Sequence, residues 1–184
     1  MSGRYNAAAG GLLLMLAGIS VGWAADDSSA KFIKEAIQGN LAEVQVGQLA
    51  QEKGAIQGVR DFGAMLAKDH QMANEKATQV AQHLSVTPPD KPGLKQKAVY
   101  EKLSRLSGAQ FDREFTKSMV KDHQDDIAKY QKESQLNGAA ADYAKETLPK
   151  LHEHLKMAEE LEQSTKVASG PRWRAGRSST SIST

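Results

Sequence analysis

Two stretches of this chain repeat one another in an order that chemistry could use: "RDFGAMLAKDHQ" from Arg60 and "REFTKSMVKDHQ" from Arg113. Each runs Arg, an acid, Phe, then Lys-Asp-His-Gln, and the second follows the first by 53 positions. Imidazole nitrogens and carboxylate oxygens are donors that suit iron, zinc, copper or manganese. Helical bundles assemble such sites from side chains on facing helices. Asp69, His70, Asp122 and His123 are therefore the first candidates.

Neighbouring residues on a helix project about 100° apart, so an Asp and the His after it cannot point the same way. Measured from Phe62 as the centre of the apolar face, Asp69 falls about 20° to one side and His70 about 80° to the other. The same angles recur from Phe115, but there the apolar face centres nearer Met119, which makes His123 the deeper member. His154 lies one turn from Leu151 and Ala158 on an apolar stripe, while His152 points about 110° off it, towards water. Glu43 shares its direction with Phe32, Ala36 and Ala50 and is expected to look inward. The expected metal site thus joins Glu43, Asp69, His70, Asp122, His123 and His154 at similar depth.

The same residues would also serve as buried hydrogen-bond pairs, Asp to His or to Lys68 and Lys121, that fix helix register. Arg, Phe, Lys and Gln recur in step with each Asp-His. That repetition speaks more for a shared structural role than for chemistry. Met65, Met72, Met119 and Met157, at helical spacing, read as core filler rather than copper ligands. His83 sits near a helix C-terminus, where the dipole favours a cation. No glycine-rich phosphate loop occurs.

Four elements must position these groups. Ile33, Ile37, Leu41 and Val44 mark one stripe of a first helix ending near Lys53, with "ADDSSA" before it as capping residues and Gly54 closing it. A second helix is expected over 57–84, and "TPPDKPG" at 87–93 cannot continue it. A short helix at 95–106 precedes a third long one at 109–136, which ends at Asn137-Gly138. The fourth covers 139–163, and Pro149 is expected to kink or restart it. With no strand signal between them, these elements predict an all-α antiparallel four-helix bundle with a short extra helix in the central crossover.

The whole chain narrows the setting. Hydrophobic residues make up 40% and charged residues 25%, as in an ordinary globule. Residues 1–24 read as a secretory signal: Arg4, the apolar run "GLLLMLAGISV", and Gly22 and Ala24 at small-residue positions. The bundle is expected over 25–165, and 166–184 reads as a disordered basic Ser/Arg-rich tail. Setting aside Arg4 and the four basic residues from Lys166 onward leaves 19 of 24 basic residues against 22 acids. Such a core is no match for nucleic acid, which wants a dense basic face. The tail, with Arg172-Trp173-Arg174, could touch anionic envelope surfaces. The chain has no cysteine, so stability must come from packing rather than disulfides.

"FIKEAIQGNLAEVQVGQLAQEKG", "VRDFGAMLAKDHQMANEK", "FDREFTKSMVKDHQDDIAKYQKE" and "LPKLHEHLKMAEEL", in that order, resemble a bacterial exported family. Its members are usually labelled outer-membrane or exported proteins of unknown function, within the ferritin-like superfamily. The resemblance covers about 30–162 and implies a ferritin-like bundle, with Asp69, His70, Asp122, His123 and His154 as the positions carried over. Ferritin and the di-iron carboxylate proteins place a Glu-x-x-His on each of two helices, and no such spacing exists here. The resulting expectation is an exported, periplasmic or envelope-associated bundle of non-enzymatic or unproven activity, acting in envelope stress or as an interaction module. The alternative is a transition-metal binding or storage protein.

Overall fold

The computed structural model describes residues 23–167, with side chains from 27 onward. The expected signal falls almost wholly outside the described residues, as does the tail beyond 167. Five helices follow in order: α1 (Trp23–Lys53), α2 (Gln57–His83), α3 (Leu94–Ser104), α4 (Gly108–Ser134) and α5 (Ala139–Val167). There is no strand among the described residues. No helix among them is long and apolar enough to cross a membrane.

One boundary differs from expectation, and one expected restart does not occur. α1 starts ahead of "ADDSSA", so those residues lie inside the helix instead of capping it. Ser29 shows one reason: its hydroxyl donates across the bundle to Glu133 Oε1 at 2.6 Å, a tertiary bond in place of a local cap. α5 likewise runs through Pro149 without a break. Proline removes one intrahelical bond, but turns on both sides of it bury Tyr143, Ala144, Leu151 and His154 against the other helices.

Side-chain pairs fix the directions of the helices. Phe62 meets Phe115 with ring centroids 5.9 Å apart, and His70 meets His123 at 5.8 Å. Each step from Phe to His climbs its helix by the same number of residues in the same sense, so α2 and α4 run parallel. The repeated motif is thus a shared register, which lays Phe on Phe and His on His. α1 opposes α4, because Ser29 reaches Glu133 while Phe32 packs on Tyr130. α5 opposes α2, because Asp69 meets His154 while Lys76 meets Glu146. The result is two antiparallel hairpins, α1/α2 and α4/α5, joined by a crossover that carries α3 back along the bundle against α1 and α4.

The core is in two parts. One end packs Val59, Phe62, Leu66, Leu103, Phe111, Phe115 and Met119; the other packs Ile33, Ile37, Ala77, Ala81, Ile127, Tyr130, Tyr143 and Leu151. A buried phenylalanine or leucine contributes about 1.5–3 kcal/mol, so neither end needs a bound ion to hold it together. Asp112, 3% exposed, ties the first end to its turn by accepting the backbone N–H groups of Ala55 and Ile56 at 2.9 and 3.1 Å. Between α1 and α2 the backbones nearly touch: a Cβ on Gly47 would lie 2.6 Å from the Gly63 carbonyl oxygen. Only glycine permits that approach.

Candidate metal centre between the two cores

Where the two apolar clusters meet, three imidazoles fill the bundle axis. His70 comes from α2, His123 from α4 and His154 from α5, each no more than 5% exposed. Their ring centroids are 5.3–5.8 Å apart. One ring nitrogen from each lies within 4.8 Å of those of the other two.

The hydrogen bonds around the cluster decide which nitrogens carry protons. His154 Nε2 lies 3.0 Å from Asp69 Oδ2; a carboxylate only accepts, so Nε2–H donates. His123 Nδ1 lies 3.0 Å from the Met119 carbonyl oxygen and donates to it. His70 Nδ1 lies 2.9 Å from Asn40 Oδ1, while the Asn40 amide donates to the Tyr143 hydroxyl at 3.1 Å. Each ring therefore spends its N–H on an oxygen outside the cluster. The nitrogens left over, His70 Nε2, His123 Nε2 and His154 Nδ1, carry lone pairs.

Those lone pairs lack a donor. His70 Nε2 is buried with no hydrogen-bond partner, and His123 Nε2 faces His154 Nδ1 at 3.4 Å. A proton could bridge the last pair only if one ring were cationic. Burial opposes that. It lowers His123 from 6.5 to about 4, with His154 adding to the effect. Burial also lowers His154, against the pull of Asp69, and takes His70 well below its ordinary value with help from the other two rings. Near neutral pH this is a set of uncharged imidazoles aiming lone pairs at one another. A metal ion would satisfy such a set: two nitrogens bound to tetrahedral zinc at about 2.0–2.1 Å sit roughly 3.3 Å apart, close to the 3.4 Å between His123 and His154, while the third nitrogen lies within 4.8 Å of both. Asp69 behind His154, the Met119 carbonyl behind His123 and Asn40 behind His70 are the outer partners that fix ligand orientation in metal sites.

The six sequence candidates do not gather in one place. Asp69, His70, His123 and His154 share this layer, with Asp69 at its edge, 12% exposed and 3.6 Å from Lys150 Nζ. Glu43 and Asp122 instead face a separate cleft between α1 and α4. Asp122 follows Met119 by three residues and His123 by minus one, so the turn that carries His123 inward swings Asp122 sideways. Neither Asp pairs with the expected lysine: Lys121 bonds Asp125 at 2.8 Å, and Lys68 is exposed.

The wheel placement of the first pair is also corrected. Asp69 was expected nearer the centre of the buried face than His70; the structure buries His70 and leaves Asp69 half-buried. Gly63 is the reason. The close approach at Gly47 and Gly63 draws α2 onto α1, so the buried face of α2 includes Gly63, His70, Ala77 and Ala81 and centres some 60° away from Phe62. Asn40 and Tyr143 escaped the sequence reading. Asn40 falls one turn after Ile37 on the apolar stripe, and a lone amide on such a face was the available sign. His83 and His152 are exposed and lie outside the cluster.

No curated protein and no solved structure matches the chain. A family model does match, over residues 22–161. By that match, which spans most of the chain including every helix that lines the imidazole cluster, the protein belongs to the family described as "Domain of unknown function (DUF4142)".

Proposed function

We propose that the protein binds a transition-metal ion through His70 Nε2, His123 Nε2 and His154 Nδ1. The observation that carries this reading is the commitment of all three ring N–H groups to oxygens outside the cluster, which leaves inward lone pairs without donors. Three neutral imidazoles with no carboxylate among them favour a borderline ion such as Zn²⁺, Cu²⁺ or Fe²⁺ over Mn²⁺ or Mg²⁺, which prefer oxygen. Three protein ligands leave a fourth position for water or a small anion. Nothing beside that position identifies a base or nucleophile, so the reading stops at binding and storage.

The bundle is of the ferritin-like kind on this reading. Its support is the single crossover that makes α2 and α4 parallel, although the ligand set differs from the paired Glu-x-x-His of di-iron carboxylate proteins. The leader at 1–24 would place the ion outside the cytoplasm, where a protein with no cysteine cannot use thiolates.

The test is elemental analysis of the purified chain after separate incubation with zinc, copper, iron and manganese, then desalting. About one equivalent of zinc or copper is expected per chain, and none in a folded His123→Ala/His154→Ala variant. Retention of zinc or copper by that variant, or neither metal in the unaltered chain, would sink the proposal; manganese, which prefers oxygen donors, is not diagnostic of the imidazoles.

A further inference from the structure

The cleft that receives Glu43 and Asp122 has its own chemistry. It encloses about 50 Å³ between α1 and α4 beneath the start of α3, lined by Glu43, Asp122, Asp125, Asp126, Lys95 and Lys129. A single water needs roughly 10–15 Å³ by the same kind of measure, so an ion with a few waters fits. No histidine lines it.

The cleft's two lysines serve only some of its acids. Lys129 Nζ donates to Asp126 Oδ1 at 2.9 Å, and Lys95 Nζ lies 3.6 Å from Asp125 Oδ2, which Lys121 also holds. Glu43 is 7% exposed, and its Oε2 is buried with no hydrogen-bond partner. A buried carboxylate oxygen without a donor is costly, and native structures rarely leave one so. Asp126 reaches towards the same stretch of α1: its Oδ2 lies 3.9 Å from where a Cβ on Gly39 would stand, one helical turn before Glu43. With Lys121 counted beside Lys95 and Lys129, four carboxylates meet three ammoniums, and the cleft keeps one negative charge in excess when all are ionised. Burial first, then the neighbouring Asp122 and Asp126, raise Glu43 well above its ordinary range.

We propose that Glu43, Asp122 and Asp126 form a second cation site, built of oxygen alone, that takes a hard divalent ion of the Mn²⁺ or Mg²⁺ type. Oxygen donors select such ions over the zinc and copper that imidazole favours. The small cleft suits six-coordinate ions that keep waters better than Ca²⁺ with its six to eight ligands. Because Asp122 and His123 are consecutive, one turn of α4 presents a hard donor to one side and a soft donor to the other. The two sites stand or fall separately.

The experiment is a Mn²⁺ titration of the full chain followed by electron paramagnetic resonance, in the His123→Ala/His154→Ala background. About one Mn²⁺ per chain, displaced by excess Mg²⁺, is expected there. The same titration of Glu43→Gln/Asp122→Asn, whose uncharged side chains keep the native shapes, should show the binding gone while helicity is intact and the metal-free melt is no lower. If the double variant melts early, Asp122→Asn alone is titrated and should weaken binding. Mn²⁺ lost with a folded histidine variant would overturn the proposal, as would Mn²⁺ retained after Glu43→Gln/Asp122→Asn.

Discussion

The chain writes Lys-Asp-His-Gln twice and the molecule uses the two copies differently. Both histidines reach the bundle axis, where their rings lie 5.8 Å apart. The aspartates part company. Asp69 turns to α5 and accepts from His154 Nε2 at 3.0 Å, whereas Asp122 turns to α1 and α3, into a cleft that already holds Glu43 and Asp126. Two parallel helices facing each other across an axis produce this outcome: the residue aimed at the axis meets its twin, and the residue about 100° from it is sent to opposite flanks. Identical letters thus supply one shared layer and two dissimilar surroundings, one with a proton donor for the carboxylate and one without.

The largest effect that would sharpen this contrast comes from metal. Zn²⁺ at a hundredfold excess over its dissociation constant stabilises a protein by about 2.7 kcal/mol. Thermal melts should show that gain in the unaltered chain and in Glu43→Gln, and its loss in His123→Ala/His154→Ala. Equal gains in all three would erase the distinction between the axis and the cleft.

Next come the aspartates themselves, without metal. Asp69→Ala strands the buried Nε2–H of His154 and should cost about 1–3 kcal/mol in denaturant unfolding. Asp122→Ala removes a carboxylate that burial and Asp126 push up in pKa; its effect should stay within about 0.5 kcal/mol, or be stabilising. Matching losses would show the two acids to be equivalent after all.

Acidity should separate the regions by sign. His123 titrates near 4 when folded and at 6.5 otherwise, so the stability tied to its neutral form is complete above 6.5 and drains away as pH falls towards about 4. Glu43, Asp122 and Asp126 are raised by burial, so their contribution is complete below ordinary carboxylate values and is lost as pH rises through the raised ones. Metal-free protein should melt lower at pH 5 than at pH 7, less so in His123→Gln and more so in Glu43→Gln. A slope unaffected by either change would contradict the burial of these groups.

The smallest effect is a control. His152 is exposed on α5 two residues before His154, so His152→Ala should alter stability by less than about 0.5 kcal/mol and leave zinc content unchanged. A drop in zinc would move the site off the axis.

Much of the fold was legible because helical periodicity is a local signal. The stripes at Ile33–Val44 and Val59–Leu84, the prolines at 88, 89 and 92, and the break at Asn137-Gly138, where Gly138 takes φ 103°, place every element end within a few residues except the start of α1, which lies ahead of the expected cap. His154 and His123 were legible for the same reason, since each sits on an apolar stripe. The separation of Glu43 and Asp122 from the imidazoles was not, because depth on a wheel says nothing of which neighbour a residue faces. His70 was misplaced because its burial depends on two glycines, in different helices, whose contact no single-helix pattern reveals. Asn40 was hidden by its type: an amide reads as surface until a ring nitrogen is found opposite it.

The parallel pairing of α2 and α4 has one more outcome. Phe62 on Phe115 and His70 on His123 set their alignment at the axis, so the length of the tether at 88–92 need not set it. Closing a longer loop adds only about 0.6 kcal/mol per doubling of its length. A chain with several extra glycines spliced into that tether should assemble the same three-ring layer, in the same order, at the same height.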